Sequence, residues 1–120
     1  MENKRILVVD DEVDFATLTA DLLESHQFHV NVVYTGIDAL EQSKNNPDLI
    51  LLDRRLPDID GLEICARIKK DEHLKSIPII MVSAFSEPKG QRETFYDDYV
   101  MKPYNTEEFI AKIESFLRNK

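Results

Sequence analysis

A chain of 120 residues suits one domain, spanning 1–120, and is long enough to bury an ordinary core without staples. A formal net charge of −8 with scattered Lys and Arg repels a phosphate backbone, which argues against direct nucleic-acid binding by these residues and favours cations, basic protein surfaces or metal-held phosphoryl groups. The single cysteine, Cys65, excludes an internal disulfide framework, and no apolar run reaches membrane-span length or forms a leader after Met1, so the expectation is a cytoplasmic protein without membrane contact.

Ile6 to Val9 is a short apolar, β-branched run that ends in Asp10, Asp11 and Glu12, and it predicts a first strand. Phe15, Leu18, Leu22 and Leu23 then recur at helical spacing, with Asp14 in the place of an N-cap. Val30 to Tyr34 predicts a second strand. Thr35 and Asp38 form a capping-box pattern for a helix running toward Asn46, and Pro47 ends it. Leu49 to Leu52 are four consecutive apolar residues between Asp48 and Asp53, the pattern of a strand buried on both faces. Pro57 and Gly61 punctuate the loop that follows, before a helix carrying Leu62, Ile64, Cys65 and Ile68, where Cys65 reads as a small core or boundary residue rather than a catalytic one. Ile77 to Val82 is a fourth strand, ending at Ser83. From Ala84 to Tyr96 the helical pattern fails, because Pro88 and Gly90 oppose it, and any fourth helix is short or irregular. Asp98 to Met101 is a weak fifth strand. Asn105 and Glu108 cap a final helix built on Phe109, Ile110, Ile113, Phe116 and Leu117.

Five strands alternating with helices predict a doubly wound α/β fold with a parallel sheet and right-handed crossovers. Asp10 and Asp11, Asp53, Ser83 and Lys102 each follow a strand, so all of them collect at one edge, where open α/β sheets hold ligands. Carboxylates about 4 Å apart repel by roughly 4 kcal/mol at an effective dielectric near 20, so such a cluster attracts a cation. An oxygen-only donor set suits a hard ion, Mg²⁺ before Ca²⁺ or Zn²⁺. A carboxylate, a divalent ion, an ammonium and a hydroxyl are the parts needed to phosphorylate an aspartate. His26, His29 and His73 fall at no predicted strand end and are read as surface residues, and Lys69-Lys70 as a solvated helix face.

With Asp10-Asp11, Asp53 followed by Leu56-Pro57 and Asp60-Gly61, Ser83-Ala84, Asp98-Tyr99 and Lys102-Pro103, the chain resembles a receiver domain of bacterial two-component response regulators over its full length. The resemblance implies a flavodoxin-like sheet of order 2-1-3-4-5 with helices on both faces. It implies that Asp53 accepts a phosphoryl group from a sensor histidine kinase or histidine phosphotransfer protein. Asp11, Asp53 and the main-chain carbonyl of Arg55 would ligate Mg²⁺, or Mn²⁺ in its place, with Asp10 acting largely through water. Lys102 and the Ser83 hydroxyl would bind phosphoryl oxygens, and Tyr99 would turn inward as Ser83 moves. The Lys102–Pro103 bond would be cis. Such a domain is no dedicated enzyme: it catalyses its own phosphorylation and dephosphorylation, and it signals to a downstream protein or to an effector domain outside these residues.

Three positions depart from the family pattern. The stretch from Ser83 to Lys102 is a few residues short, with Phe95-Tyr96 where Gly-Ala is common; Arg54 and Arg55 follow the acceptor; and Phe85 lies two residues past Ser83. Arg55 and Phe85 are large enough to obstruct water on its way to a phosphoaspartate, which predicts a long-lived phosphorylated state. A haloacid-dehalogenase-type phosphatase would place a second Asp where Arg55 stands. A non-phosphorylated pseudo-receiver would lack one of Asp11, Asp53 and Lys102, and a flavodoxin would need a Ser/Thr/Gly-rich loop where the chain has Asp10, Asp11 and Glu12.

Overall fold

The computed structural model describes residues 4–87, 89–90 and 95–118. In chain order the elements are β1 (Arg5–Val9), α1 (Val13–Ser25), β2 (His29–Val33), α2 (Gly36–Ser43), β3 (Leu49–Leu52), α3 (Gly61–Lys70), β4 (Ile79–Ser83), β5 (Asp98–Met101) and α4 (Thr106–Arg118). The five strands form one parallel sheet ordered β2-β1-β3-β4-β5. This is the predicted doubly wound order.

Alternation along each central strand assigns its side chains to two cores, as a period of two requires. Leu7, Val9, Ile50, Leu52, Ile79 and Met81 face Ala39 of α2 and Ile64, Cys65 and Ile68 of α3. Ile6, Val8, Leu49, Leu51, Ile80 and Val82 face Ala16 and Leu23 of α1 and Phe109, Ile110, Ile113 and Leu117 of α4. All four residues of β3 are buried, which explains why its run is unbroken rather than alternating. Burial pushes the Cys65 thiol up to about 12, so it is an inert core group.

Local signals mostly decide the helix ends. Thr35 accepts the Asp38 N–H at α2 and Asn105 accepts the Glu108 N–H before α4, as the two capping-box patterns require. Helix α1 differs from expectation: Asp14 lies inside its first turn, Glu12 occupies the N-cap position, and no side chain caps it. The carboxylate of Asp14 therefore favours the helix through its dipole rather than as a cap. Lys69 also departs from a solvated face. Its ammonium pairs with Asp97 at 3.0 Å and donates to the Ile77 carbonyl at 3.3 Å, which ties α3 to the segments before β4 and β5.

Between β4 and β5 the described residues form bends and turns without a helix, in keeping with the broken pattern there; Pro88 and residues 91–94 of that stretch lie outside the described residues. Tyr96 is fully buried, and its hydroxyl donates to Glu87 at 3.0 Å. Its ring packs into the core beside Tyr99, with centroids 5.7 Å apart. Among the described residues no helix is long and apolar enough to cross a membrane.

Candidate functional site

The order in which strands are added to the sheet reverses between β1 and β3, which are parallel neighbours with Val9 opposite Leu52. Main-chain hydrogen bonds run one residue past the strands. The Asp10 N–H donates to the Val33 carbonyl at 3.1 Å, the Asp53 N–H to Val9 at 2.9 Å and the Lys102 N–H to Ser83 at 2.8 Å. The side chains of all three therefore project from backbone that the sheet holds rigid. The Lys102–Pro103 bond is cis.

The Lys102 ammonium lies 2.8 Å from Asp10 Oδ2, 2.8 Å from Glu12 Oε1 and 3.4 Å from Asp53 Oδ2. On another side it sits 4.5 Å from the centre of the Phe15 ring. The second Asp10 oxygen accepts the Glu12 N–H at 2.9 Å, and Asp53 Oδ1 accepts the Arg55 N–H at 3.3 Å. One oxygen each from Asp10, Asp11 and Asp53 can be chosen so that all three lie within 4.8 Å of one another. Asp10 and Asp53 are buried while Asp11 is exposed, so the cluster has a closed floor and an open rim.

Charge explains the state of these groups. Burial, aided by the neighbouring Asp10 charge, pushes the Asp53 carboxyl up to about 6 against the pull of Lys102 and the Arg55 N–H. Burial also disfavours the Lys102 ammonium, but its hydrogen bonds to Asp10 and Glu12 and the charge of Asp53 together hold its pKa above the ordinary lysine value. The two shifts agree once distance is considered: the ammonium bonds most closely to Asp10 and Glu12, which leaves Asp53 only partly compensated.

Ser83 is fully buried, and its hydroxyl accepts the Phe85 N–H at 3.1 Å. Tyr99 already lies inward, 8% exposed, with its hydroxyl donating to the Phe85 carbonyl at 2.6 Å. Above them the Arg55 guanidinium stacks over the exposed Phe85 ring, 4.1 Å from its centre. The two bulky residues singled out from sequence therefore touch each other at the rim.

The loop after Asp53 is fastened at both ends. Asp58 accepts the N–H groups of Gly36 at 2.7 Å and Ile37 at 2.9 Å, at the start of α2, and these donors hold its carboxyl below the usual range. Asp60 caps α3 through the Leu62 N–H at 2.8 Å. Gly61 lies so close to the preceding chain that a Cβ there would sit 2.7 Å from Arg54 Cα and 2.8 Å from the Asp53 carbonyl oxygen. Gly61→Ala must push this loop away. We expect it to lower stability by about 1–3 kcal/mol, the usual cost of overpacking, as read by denaturant midpoint.

Sequence reasoning missed three contributors: Glu12, Phe15 and Asp58. Glu12 and Phe15 meet Lys102 only through tertiary folding, and Asp58 reaches α2 across 22 positions, so no local pattern marks any of them.

The family model for the response regulator receiver domain matches residues 6–114. The chain belongs to this family. As a receiver domain it is 38% identical over 120 residues to the response regulator ArlR of Staphylococcus saprophyticus, with 97% of this chain and 53% of that protein covered. The chain thus spans about half the length of that relative. Among solved structures, a putative response regulator from Chloroflexus aurantiacus superposes with a TM-score of 0.89 at 29% identity, covering 98% of this receiver and 99% of that chain. The response regulator TrrA of Thermotoga maritima, solved in complex with Mg²⁺-BeF, gives a TM-score of 0.86 at 33% identity, covering 95% and 99%. The chain is thus a receiver domain of the kind carried by two-component response regulators. Its acidic group, with three carboxylates and no His or Cys, fits a hard divalent cation.

Proposed function

We propose that Asp53 is the phosphoacceptor of this receiver. A carboxylate oxygen attacks the phosphorus of a phosphohistidine on a histidine kinase or histidine phosphotransfer protein. The O–P bond forms, the P–N bond breaks, and the electron pair returns to the imidazole. In dephosphorylation water attacks the same phosphorus, which releases phosphate and restores the carboxylate. The observation that carries this reading is the position of Asp53, a buried carboxylate between the acidic pair and an ammonium at the sheet edge.

Asp11, Asp53 and the Arg55 main-chain carbonyl would hold Mg²⁺, or Mn²⁺ in its place, with Asp10 acting through water. Bound there, the cation offsets the charge of the phosphoryl oxygens and of the carboxylates around them. Lys102 supplies a point charge for one phosphoryl oxygen, and the Ser83 hydroxyl, whose oxygen accepts the Phe85 N–H, donates its own proton to another. Ser83 carries the change to Phe85 and Tyr99, whose packing reports it to a downstream protein or effector domain. The setting is the reducing cytoplasm.

Acetyl phosphate with Mg²⁺ tests the acceptor. We expect a mass gain of one phosphoryl group, mapped to Asp53 by peptide analysis and abolished in Asp53→Ala. A phosphoryl group found on another residue overturns the assignment.

The Arg55–Phe85 contact would lie in the path of water toward a phosphoryl group on Asp53. Such a contact is worth about 0.5–1 kcal/mol when exposed, so opening it should speed hydrolysis about two- to five-fold. Release of phosphate from the loaded Arg55→Ala/Phe85→Ala protein measures this, and an unchanged rate removes these residues from the timing of the signal.

A further inference from the structure

Lys102 has three ammonium protons and three carboxylate neighbours in the resting receiver. Its capacity is full. The two short contacts, both 2.8 Å, go to Asp10 and Glu12, while Asp53 is the distant partner at 3.4 Å. A phosphoryl oxygen on Asp53 can inherit the one proton that Asp53 already takes, at the longest of the three distances; a closer hold on it requires Asp10 or Glu12 to loosen its own contact.

The three neighbours differ in how readily they can leave. Asp10 is buried, and its other oxygen is fixed by the Glu12 N–H at 2.9 Å. Asp53 is the acceptor itself. The Glu12 side chain is 64% exposed, against 6% for Asp10 and 9% for Asp53, and it can exchange its ammonium contact for water at small cost. Glu12 also belongs to a different segment from the acceptor, so its departure moves neither Asp53 nor the loop behind it.

We propose that Glu12 is a positioning residue that draws the Lys102 ammonium toward the β1–α1 loop in the resting state and releases it when a phosphoryl group arrives. This latch rests on the acceptor reading above and deepens it. Glu12 touches no reacting atom; it acts through Lys102 by setting how much of the ammonium is free for the incoming oxygens. It thereby raises the threshold for activation.

Beryllofluoride binding in the presence of saturating Mg²⁺, followed by intrinsic tyrosine fluorescence, reads this directly on the intact protein. Glu12→Gln removes the competing charge and should tighten beryllofluoride binding about two- to five-fold, the range expected for one solvent-exposed ion pair. Glu12→Asp keeps the charge but is one methylene too short to reach the ammonium, so it should tighten binding to a similar degree. Placed in a Lys102→Ala background, Glu12→Gln should have no effect. Binding by Glu12→Asp that equals wild type while Glu12→Gln is tighter would mean that local charge alone is at work, and the latch is overturned. Equal affinity of all three proteins overturns it as well. Failure of the wild-type protein to bind beryllofluoride at all overturns the acceptor reading first, and the latch with it.

Discussion

Asp53→Asn should give a protein that melts above wild type yet accepts no phosphoryl group from acetyl phosphate. Burial pushes the Asp53 carboxyl up to about 6, against an ordinary aspartate value of about 4, so in the metal-free protein its ionised form is a net cost. As a raised acid it favours the folded state below the unfolded value, and that contribution is lost as pH rises through the folded one. The gain on replacing it with neutral Asn therefore reaches its full value above about pH 6, where about 1–3 kcal/mol is expected, and fades toward zero near pH 4. Melting temperature measured across this range without divalent ions checks the sign. Loading followed by mass in the same samples checks the chemistry, since Asn has no anionic oxygen to attack phosphorus. A variant that gained stability but still took up a phosphoryl group would place the acceptor elsewhere.

Lys102→Ala should have the opposite sign and a larger size. Lys102 is the ammonium that Asp10 and Asp53, both buried, share, and its own side chain is 8% exposed. Removing one member of a buried ion group leaves the others uncompensated, at about 3–5 kcal/mol. At about 4 °C per kcal/mol for a domain of this size, melting should fall by about 12–20 °C. A divalent cation can replace the lost charge, so added Mg²⁺ should raise the melting temperature of the variant by more than it raises wild type. A stabilisation near 2.7 kcal/mol is expected at a concentration about 100-fold above the dissociation constant. Phosphoryl loading should stay low even after this rescue, because the cation restores the charge balance but not the ammonium that would hold a phosphoryl oxygen. A variant as stable as wild type without Mg²⁺ would show that the carboxylates are neutralised by protons instead.

Much of this architecture is legible along the chain. The run Leu49 to Leu52 can be buried on both faces only in the middle of a covered parallel sheet, and the carboxylate that ends it must then emerge at the ligand edge. Thr35 with Asp38, and Asn105 with Glu108, cap by local hydrogen bonds that need no tertiary knowledge. Contacts made by long side chains across the fold are another matter. Glu12 and Lys102 are 90 positions apart, and Asp58 reaches the start of α2 rather than its own helix. Lys69 reads as a surface residue on helical spacing alone, because nothing in its neighbourhood announces Asp97. Asp14 does not cap because α1 begins at Val13, one residue before it, and the Glu12 carboxylate at the N-cap position contacts Lys102 instead of the helix end.

The peptide around residue 85 joins two properties that are usually discussed apart. Its carbonyl is gripped by the Tyr99 hydroxyl, its amide by Ser83, and its ring by Arg55. On the proposed roles of Arg55, Phe85 and Tyr99, duration and content of the message would therefore share one piece of hardware: a change that loosens the Arg55–Phe85 contact would also disturb the peptide that Tyr99 holds. A slower or faster clock in this receiver would then retune its listeners at the same time.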